Sequence, residues 1–174
     1  PPCINASQAE FDVEVDGETF KFHLVPCGIL HDEVVCVIAD CVVVDPGVLV
    51  AELRDLRARG RSTENLRISS NAHVVLPYHI ELDRLSERNL GKGALGTTCR
   101  GIGPAYADKS ARVGIRMHEL VDADRLAPRL REQLAAKNRL LGEVYGASAL
   151  DVEEVLSQQI EFGRELKPFV CDTV

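Results

Sequence analysis

Residues 96–112 read GTTCRGIGPAYADKSAR, and this stretch is the most informative in the chain. Glycines let backbone N–H groups approach an anion closely, and threonine hydroxyls donate further hydrogen bonds. Arg100, Lys109 and Arg112 add positive charge that favours phosphate. The residue types alone leave two interpretations open, a loop that binds phosphate or a tight turn followed by a solvated basic helix.

The residues just before this stretch have the glycine spacing of a Walker loop. Residues 91–96 read GKGALG, but Thr97 occupies the position where such a loop needs its lysine. The sequence therefore excludes a Walker loop here.

The N-terminal half has the pattern of strands. Apolar and polar residues alternate on both sides of Asp16-Gly17, which predicts a β-hairpin. Residues 34–44 form a nearly unbroken β-branched run, interrupted at 39–41, which is typical of buried strands in a sheet covered on both faces. A short strand is expected over residues 72–76.

Helices are expected between and after these strands. Asp45-Pro46 predicts the start of one helix and Gly60 its end, with Arg54, Arg57, Arg59 and Arg61 as a solvated cationic end. Further helices are expected over residues 83–90 and 124–144 and after Asp151. The predicted fold is α/β, with a β-hairpin near the N-terminus and a helical C-terminal half.

The composition is that of a globular protein of ordinary hydrophobicity. The 174 residues are 45% hydrophobic and carry a net charge of −7, which argues against a nucleic-acid partner. No apolar run is long enough to predict a membrane span, and no signal peptide is evident. The six cysteines lack zinc-site spacing, so reduced thiols and a cytoplasmic location are expected.

The pattern Gly-Ile-Gly-Pro-x-Tyr-x-x-Lys-x-x-Arg over residues 101–112 resembles the signature of the adenylosuccinate synthetase family. Other segments resemble the same family in the same order, and the resemblance extends from about Gly17 to Thr173. These segments are His23-Leu24-Val25-Pro26, Gly28-Ile29-Leu30, Val42-Val43-Val44-Asp45-Pro46, Arg67-Ile68-Ser69, Ala72-His73-Val74, Pro77-Tyr78-His79 and Lys137-Asn138.

The resemblance implies a fold and an activity. The family joins IMP and aspartate in AMP biosynthesis, using GTP and magnesium, through phosphoryl transfer to the O6 of IMP and displacement by aspartate. It implies a large, mostly parallel sheet with flanking helices, and a homodimer. Residues 1–174 resemble the central part of that enzyme, and the N-terminal phosphate loop and C-terminal guanine-recognition segment of the family have no counterpart in them.

The resemblance also implies roles for individual residues. Thr98 and Arg112 correspond to residues that bind the IMP phosphate, and Arg112 reaches the active site of the neighbouring subunit. Lys109 corresponds to the signature lysine and is the candidate catalytic residue. The other phosphate-loop candidates are Thr97, Arg100, Gly101 and Gly103. No residues of this chain are recognisable as ligands of magnesium or GTP, and His73 and His79 are expected to be structural.

The chain departs from the family pattern at several positions. Counting back from His23, Phe11 occupies the position of the catalytic histidine. Cys27 replaces a serine, residues 39–41 (Ala-Asp-Cys) replace Gly-Asn-Gly, and Cys99 replaces a glycine. A side chain at position 99 would be strained if φ is positive there, by about 1–2 kcal/mol.

The sequence leaves three interpretations of the chain. The first is a partial adenylosuccinate synthetase that carries part of the IMP phosphate site and does not turn over alone. The second is a catalytically inactive nucleotide-binding or dimerisation module derived from that family. The third, an unrelated nucleotide-binding domain with a glycine-rich loop, is disfavoured by the ordered series of matching segments.

Overall fold

A parallel β-sheet lies at the centre of the computed structural model, which describes residues 3–5, 11–15, 17–93 and 96–173. The strands are β1 (Cys3–Asn5), β2 (Phe11–Val15), β3 (Glu18–Phe22), β4 (Cys36–Ile38), β5 (Val43–Val44), β6 (Leu66–Ser69), β7 (His73–Val74) and β8 (Val170–Cys171). The central sheet has the order β1-β4-β6-β8, and each neighbouring pair is parallel. A second parallel pair joins β5 to β7.

Helices flank these strands and dominate the C-terminal half. They are α1 (Pro46–Ala58), α2 (Pro77–Leu90), α3 (Ile102–Ser110), α4 (Met117–Leu120), α5 (Ala123–Tyr145) and α6 (Val152–Leu166). Short 3-10 segments cover Cys27–Leu30, Gly91–Gly93 and Lys167–Phe169. The prediction of an α/β fold with a parallel sheet, an N-terminal hairpin and a helical C-terminal half is confirmed.

The hairpin of β2 and β3 forms because its apolar residues share one face. The strands are antiparallel, and Val15 pairs with Glu18. Gly17 has φ = 79°, a conformation that costs glycine little, while Asp16 lies outside the described residues. Phe20 and Phe22 are buried, so the hairpin face packs on the core.

Helix α1 begins where the sequence predicts. Oδ1 of Asp45 accepts hydrogen bonds from the N–H groups of Gly47 (2.9 Å) and Val48 (3.2 Å), and Pro46 occupies the first helical position. The helix ends at Ala58, shortly before Gly60, which has φ = 72°. Its Leu49, Leu53 and Leu56 are buried.

Helix α2 begins at Pro77, so the prediction of a helix that starts at residue 83 was wrong by six residues. Proline is favourable at the first helical position, and the backbone N–H of Leu76 donates to Nδ1 of His79 at 2.9 Å. The predicted strand over residues 72–76 is correspondingly shorter, because β7 contains only His73 and Val74. The early start of α2 brings its first turn against the residues that precede α3.

Candidate functional site

The candidate site is built around residues 96–101, here called the Gly/Thr loop, which lead into α3. Gly101 has φ = 74° and is buried against the first turn of α2. A Cβ at this position would lie 2.7 Å from the backbone carbon of His79 and 2.7 Å from the backbone nitrogen of Ile80. Only glycine satisfies both the conformation and the close approach, so Gly101 fixes where the loop crosses α2.

The carboxylate of Asp83, on α2, holds the Gly/Thr loop by two hydrogen bonds. Its Oδ1 accepts a hydrogen bond from the Thr97 hydroxyl at 3.2 Å, and its Oδ2 accepts one from the Gly101 N–H at 2.9 Å. A second carboxylate on the same helix, that of Glu87, accepts from the N–H of Gly96 at 3.0 Å. These two carboxylates hold both ends of the Gly/Thr loop on α2. The Thr97 hydroxyl donates its hydrogen bond to Asp83 and so helps to hold the loop.

Thr98 and Arg100 lie on the outer part of the loop. Thr98 is exposed and Arg100 is partly exposed. Within residues 17–93 and 96–173, neither side chain makes a hydrogen bond or an ion pair. Cys99 stands between them with φ = 51°, a left-handed conformation that disfavours any residue with a Cβ. The loop therefore presents one hydroxyl and one guanidinium to solvent at a strained backbone.

Helix α3 carries Lys109, whose ammonium group donates a hydrogen bond to the backbone of the loop that contains Asp40. Its Nζ donates to the carbonyl oxygen of Asp40 at 3.0 Å and lies 5.8 Å from the centre of the Tyr106 ring. The Tyr106 hydroxyl donates to the carbonyl oxygen of Cys41 at 2.9 Å. Lys109 and Tyr106 thus hold residues 39–41, one of the segments that departs from the family pattern. The catalytic role of Lys109 stays a prediction.

Arg112 follows the end of α3 with its side chain exposed and φ = 62°. Its guanidinium makes no hydrogen bond or ion pair with any residue that the structure describes. Gly103, in the first turn of α3, has open space where a Cβ would stand, so packing does not require glycine there. The predicted roles of Thr97, Thr98, Arg100, Gly101, Gly103 and Arg112 in phosphate binding stay predictions.

A cavity of about 240 Å³ lies between the Gly/Thr loop, α1 and α2. Its wall is apolar at Leu24, Val48, Ile80 and Ile102, and polar at His23, Asp45, Arg84, Cys99 and Arg100. The Asp45 carboxylate caps α1, and Nδ1 of His23 pairs with Oε1 of Glu52 at 3.2 Å. Burial raises the pKa of Asp45, although its hydrogen bonds from Val48 and Gly47 lower it.

The guanidinium groups of Arg84 and Arg100 are the cations of this cavity that lack a partner among the described residues. Together with the apolar wall, they favour a ligand that has a negatively charged group and an apolar body.

Both histidines predicted to be structural are buried. His79 Nε2 lies 3.0 Å from Oδ2 of Asp108, and burial lowers the pKa of His79 although its hydrogen bond to that carboxylate raises it. Burial, followed by the charges of Lys109 and Arg116, lowers the pKa of His73 to about 4. The carboxylate partner of His79, which no sequence spacing suggested, lies 29 residues away in the chain.

Sequence reasoning missed the acidic residues that organise the site. Asp83 lies 14 residues before Thr97, and Asp108 occupies a variable position of the signature pattern, where no role was predicted for it. Among the residues that the structure describes, no group of three or more His, Cys, Asp or Glu is placed to hold a metal ion. In the same part of the chain, no helix is long and apolar enough to cross a membrane.

Residues 3–174 match the family model described as adenylosuccinate synthetase. Among the similar proteins, the adenylosuccinate synthetase of Bacillus subtilis is 47% identical over 167 residues, which are 96% of this chain and 39% of that protein. The adenylosuccinate synthetase of Streptococcus gordonii is 48% identical over 161 residues, 92% of this chain and 37% of that protein. The chain thus spans about two fifths of the length of these curated relatives.

A solved structure is similar across nearly the whole chain. It is a fully ligated adenylosuccinate synthetase from Plasmodium falciparum, with a TM-score of 0.81 and 26% sequence identity. The match covers 95% of this chain and 38% of that one. The central sheet and its helices therefore have the same fold as the matching part of that structure.

Proposed function

Because the chain belongs to the adenylosuccinate synthetase family, as the match over residues 3–174 establishes, we propose that it carries part of a site for the phosphate of IMP. The reaction it would serve is the GTP-dependent ligation of IMP with aspartate in AMP biosynthesis. The proposal concerns a share of that site, since the chain spans 39% of the length of its Bacillus subtilis relative.

This proposal rests on a difference between residues of the Gly/Thr loop, some of which are hydrogen-bonded to α2 while others have no partner among the described residues. Thr97 and Gly101 are committed to Asp83, so they hold the loop in place. Thr98, by contrast, has no hydrogen-bond partner among the described residues, and neither has the guanidinium of Arg100. A loop that is anchored on one side and carries unused donors on the other is preorganised for an anion, because binding then orders little additional chain.

The free donors suit a phosphate dianion. A threonine hydroxyl can donate one hydrogen bond and fix the orientation of the group, and a guanidinium can donate two parallel bonds. Thr98 and Arg112 are the residues to which the resemblance gives these parts. Arg112 would serve the neighbouring subunit of a homodimer, which accounts for an exposed cation that has no partner within its own described chain.

Magnesium and GTP differ from IMP, because the sequence of this chain offers no recognisable residues for them. The family resemblance implies both, but the described residues contain no cluster of acidic or histidine side chains that fits a metal ion. We therefore assign neither group to a residue of this chain and derive no step through them. The proposed contribution is binding and orientation of the IMP phosphate.

A second candidate is a catalytically inactive module that retains nucleotide binding or dimerisation. Two observations favour it. Phe11, at the position counted for the catalytic histidine, lies in β2 and pairs with Phe22 in the hairpin. Cys99 has φ = 51° within the Gly/Thr loop. Such a module would bind IMP without forming adenylosuccinate.

Isothermal titration of the chain with IMP tests the proposal. We expect saturable binding that Arg112→Ala weakens by about tenfold or more, because a charge-assisted bidentate contact is lost. The control is Arg139→Ala, since Arg139 is exposed on α5 and pairs with Glu143. Absence of IMP binding by the folded chain would overturn the proposal, and equal affinity of the Arg112→Ala variant would overturn the assignment of Arg112.

Turnover separates the two candidates. GTP, IMP, aspartate and magnesium are added to the chain, and adenylosuccinate is measured. Product formation would exclude the inactive module. Binding of IMP without product is the result expected of the isolated chain, and the same assay after the flanking parts of a relative are joined to it then distinguishes a partial enzyme from an inactive one.

A further inference from the structure

Three helices meet at one carboxylate behind the candidate site. Asp108 of α3 receives a hydrogen bond from Nζ of Lys137 on α5 and lies 3.0 Å from Nε2 of His79 on α2. The side chains of His79, Asp108 and Lys137 are 0%, 7% and 17% exposed. The network is therefore largely shielded from water, unlike an ion pair between exposed side chains.

The protonation state of His79 follows from its contacts. Its Nδ1 accepts a hydrogen bond from the backbone N–H of Leu76 at 2.9 Å, and a backbone N–H can only donate. The proton of the neutral ring is therefore on Nε2, which donates to Oδ2 of Asp108. Burial raises the pKa of Asp108, but the hydrogen bonds from His79 and Lys137 outweigh it and lower that pKa. The carboxylate is thus held as an anion by two donors.

Asp108 also closes the turn that contains Arg112. Its backbone oxygen accepts hydrogen bonds from the N–H groups of Val113 at 3.0 Å and Gly114 at 3.1 Å. On the far side, a Cβ at Gly114 would lie 2.8 Å from Cδ2 of His73, so this part of the turn is packed tightly. Arg112 is held between these two fixed points with φ = 62° and its side chain exposed. The direction of its guanidinium depends on a turn whose first anchor is Asp108.

Stability alone is a weak reason for such a network. Replacing a buried ion pair by apolar side chains of similar size is often neutral or stabilising, because removing both charges from water is costly. The same network does fix the relative register of three helices, and α3 carries both Lys109 and the turn of Arg112. The arrangement is better suited to orientation than to stabilisation.

We infer that Lys137 is a positioning residue, which through Asp108 holds the turn of residues 108–114 so that Arg112 is oriented to bind phosphate. This inference rests on the proposed function, since it assigns Lys137 a part in the affinity for IMP. His79 supplies the second donor to the same carboxylate. Neither residue contacts the ligand.

The test compares Lys137→Met with Arg139→Met, a control at an exposed position of the same helix. Hydrogen exchange of individual amides is measured by NMR, and IMP affinity by titration. We expect Lys137→Met to accelerate exchange of the Val113 and Gly114 N–H groups by about tenfold relative to the amides of the central sheet, and to weaken IMP binding about tenfold. The Arg139→Met variant should match the original chain in both.

Loss of one partner from a buried pair can unfold a protein, so a second variant accompanies the first. The double substitution Asp108→Asn with Lys137→Met removes both charges and keeps an oxygen that accepts from His79. We expect the same local acceleration of exchange. Uniform acceleration over the whole chain, or unchanged exchange at Val113 and Gly114, would overturn the inference.

The two proposals fail separately. If the original chain does not bind IMP, the proposed function fails, while exchange at Val113 and Gly114 still shows whether Lys137 holds the turn. If the original chain binds IMP and Lys137→Met binds it equally well, the positioning role fails and the proposed function stands.

Discussion

Cys99 and Arg112 are the two described residues other than glycine with positive φ, and both lie in or beside the candidate phosphate site. A left-handed conformation costs a residue with a Cβ about 1–2 kcal/mol, because the Cβ approaches the following carbonyl oxygen. At Arg112 a functional side chain can explain the strain. At Cys99, where the family pattern has glycine, nothing in the structure explains the thiol.

Glycine substitution at these two positions separates strain from function. We expect Cys99→Gly and Arg112→Gly each to raise the free energy of unfolding by about 0.5–1 kcal/mol, since relief of strain exceeds the added flexibility of the unfolded chain. Urea unfolding measures this effect. In titrations with IMP the variants should diverge, with Cys99→Gly binding at least as tightly as the original chain and Arg112→Gly binding about tenfold or more weakly, as expected for Arg112→Ala.

Ser110→Gly serves as a comparison, because Ser110 lies in α3 rather than in the left-handed region. It should destabilise the chain by up to about 1 kcal/mol. A lower urea midpoint for Cys99→Gly would contradict the strain assigned to that residue.

Arg84 is a candidate ligand-binding residue that the family resemblance does not assign. It lines the same cavity as Arg100, and its guanidinium has no partner among the described residues. We expect Arg84→Ala to weaken IMP binding about tenfold, and the loss to shrink at high salt because the contact is electrostatic. Titration at two ionic strengths measures it, with Arg88→Ala as the control, an exposed arginine that does not line this cavity. Equal losses for both variants would indicate a diffuse effect of charge.

At the scale of elements, α6 crosses α4 at a glycine. A Cβ at Gly163 would lie 2.2 Å from the carbonyl oxygen of Leu120. The backbone oxygen cannot move without shifting α4, so we expect Gly163→Ala to lower the free energy of unfolding by about 3 kcal/mol. Gly142 provides the matched control, because it lies within α5 and has open space around it.

For Gly142→Ala we expect a gain of about 0.5–1 kcal/mol, since alanine favours the helix. Both variants are measured by urea unfolding. A gain in stability for Gly163→Ala as well as for Gly142→Ala would show that the crossing of α6 and α4 is looser than its geometry indicates.

Local signals predicted some elements well and others poorly, for a physical reason. Helices α1 and α6 begin after Asp45 and Asp151, whose carboxylates accept from backbone N–H groups of the first turn. Such caps are visible in sequence because the acceptor lies next to the donor. Helix α2 lacks a polar residue before Pro77, and the Leu76 N–H is satisfied instead by His79 from within the helix. The sequence therefore predicted only its C-terminal part.

In the candidate site, too, contacts between residues near in sequence were predictable and contacts between distant residues were not. The glycines, threonines and cations of residues 96–112 indicated an anion site because they are contiguous. The carboxylates of Asp83 and Asp108 act on residues 14 to 29 positions away, through the packing of α2, α3 and α5. No local pattern encodes such contacts, so the supports of the site could be found only in the folded chain.

At the scale of the whole molecule, proton binding links His73 to stability. The pKa of His73 is lowered to about 4, first by burial and then by Lys109 and Arg116, whereas the unfolded chain titrates near the ordinary 6.5. Between about pH 4 and pH 6.5 the unfolded state therefore binds a proton at this residue that the folded state does not. The contribution of neutral, buried His73 to the free energy of unfolding is therefore complete above pH 6.5 and is lost as the pH falls towards 4.

We expect the free energy of unfolding to fall by about 1.4 kcal/mol per pH unit over this window from His73 alone. His73→Phe should flatten that slope, because phenylalanine keeps a planar ring and does not titrate. Urea unfolding at several pH values measures it, with exposed His31→Phe as the control. An unchanged slope for His73→Phe would show that other groups dominate the acid response.

The proposed homodimer makes a prediction that only the assembled molecule can meet. If each phosphate site takes Thr98 from one subunit and Arg112 from the other, Thr98→Ala and Arg112→Ala damage opposite halves of a site. A dimer that contains one subunit of each kind then has one intact site and one doubly damaged site, by its two-fold symmetry. Random mixing in equal amounts should restore binding to about a quarter of all sites.

The experiment refolds the two variants together and titrates the mixture with IMP, using different affinity tags to verify mixed dimers. Each variant refolded alone gives the baseline. A chain that carries both substitutions, refolded with the Thr98→Ala variant, is the control, because no pairing of those two subunits contains an intact site. Recovered stoichiometry in the first mixture, with no recovery in the control, would require that Arg112 crosses the subunit boundary. Mixed dimers without recovery would mean that Thr98 and Arg112 of one chain serve the same site, because every site would then contain one damaged residue.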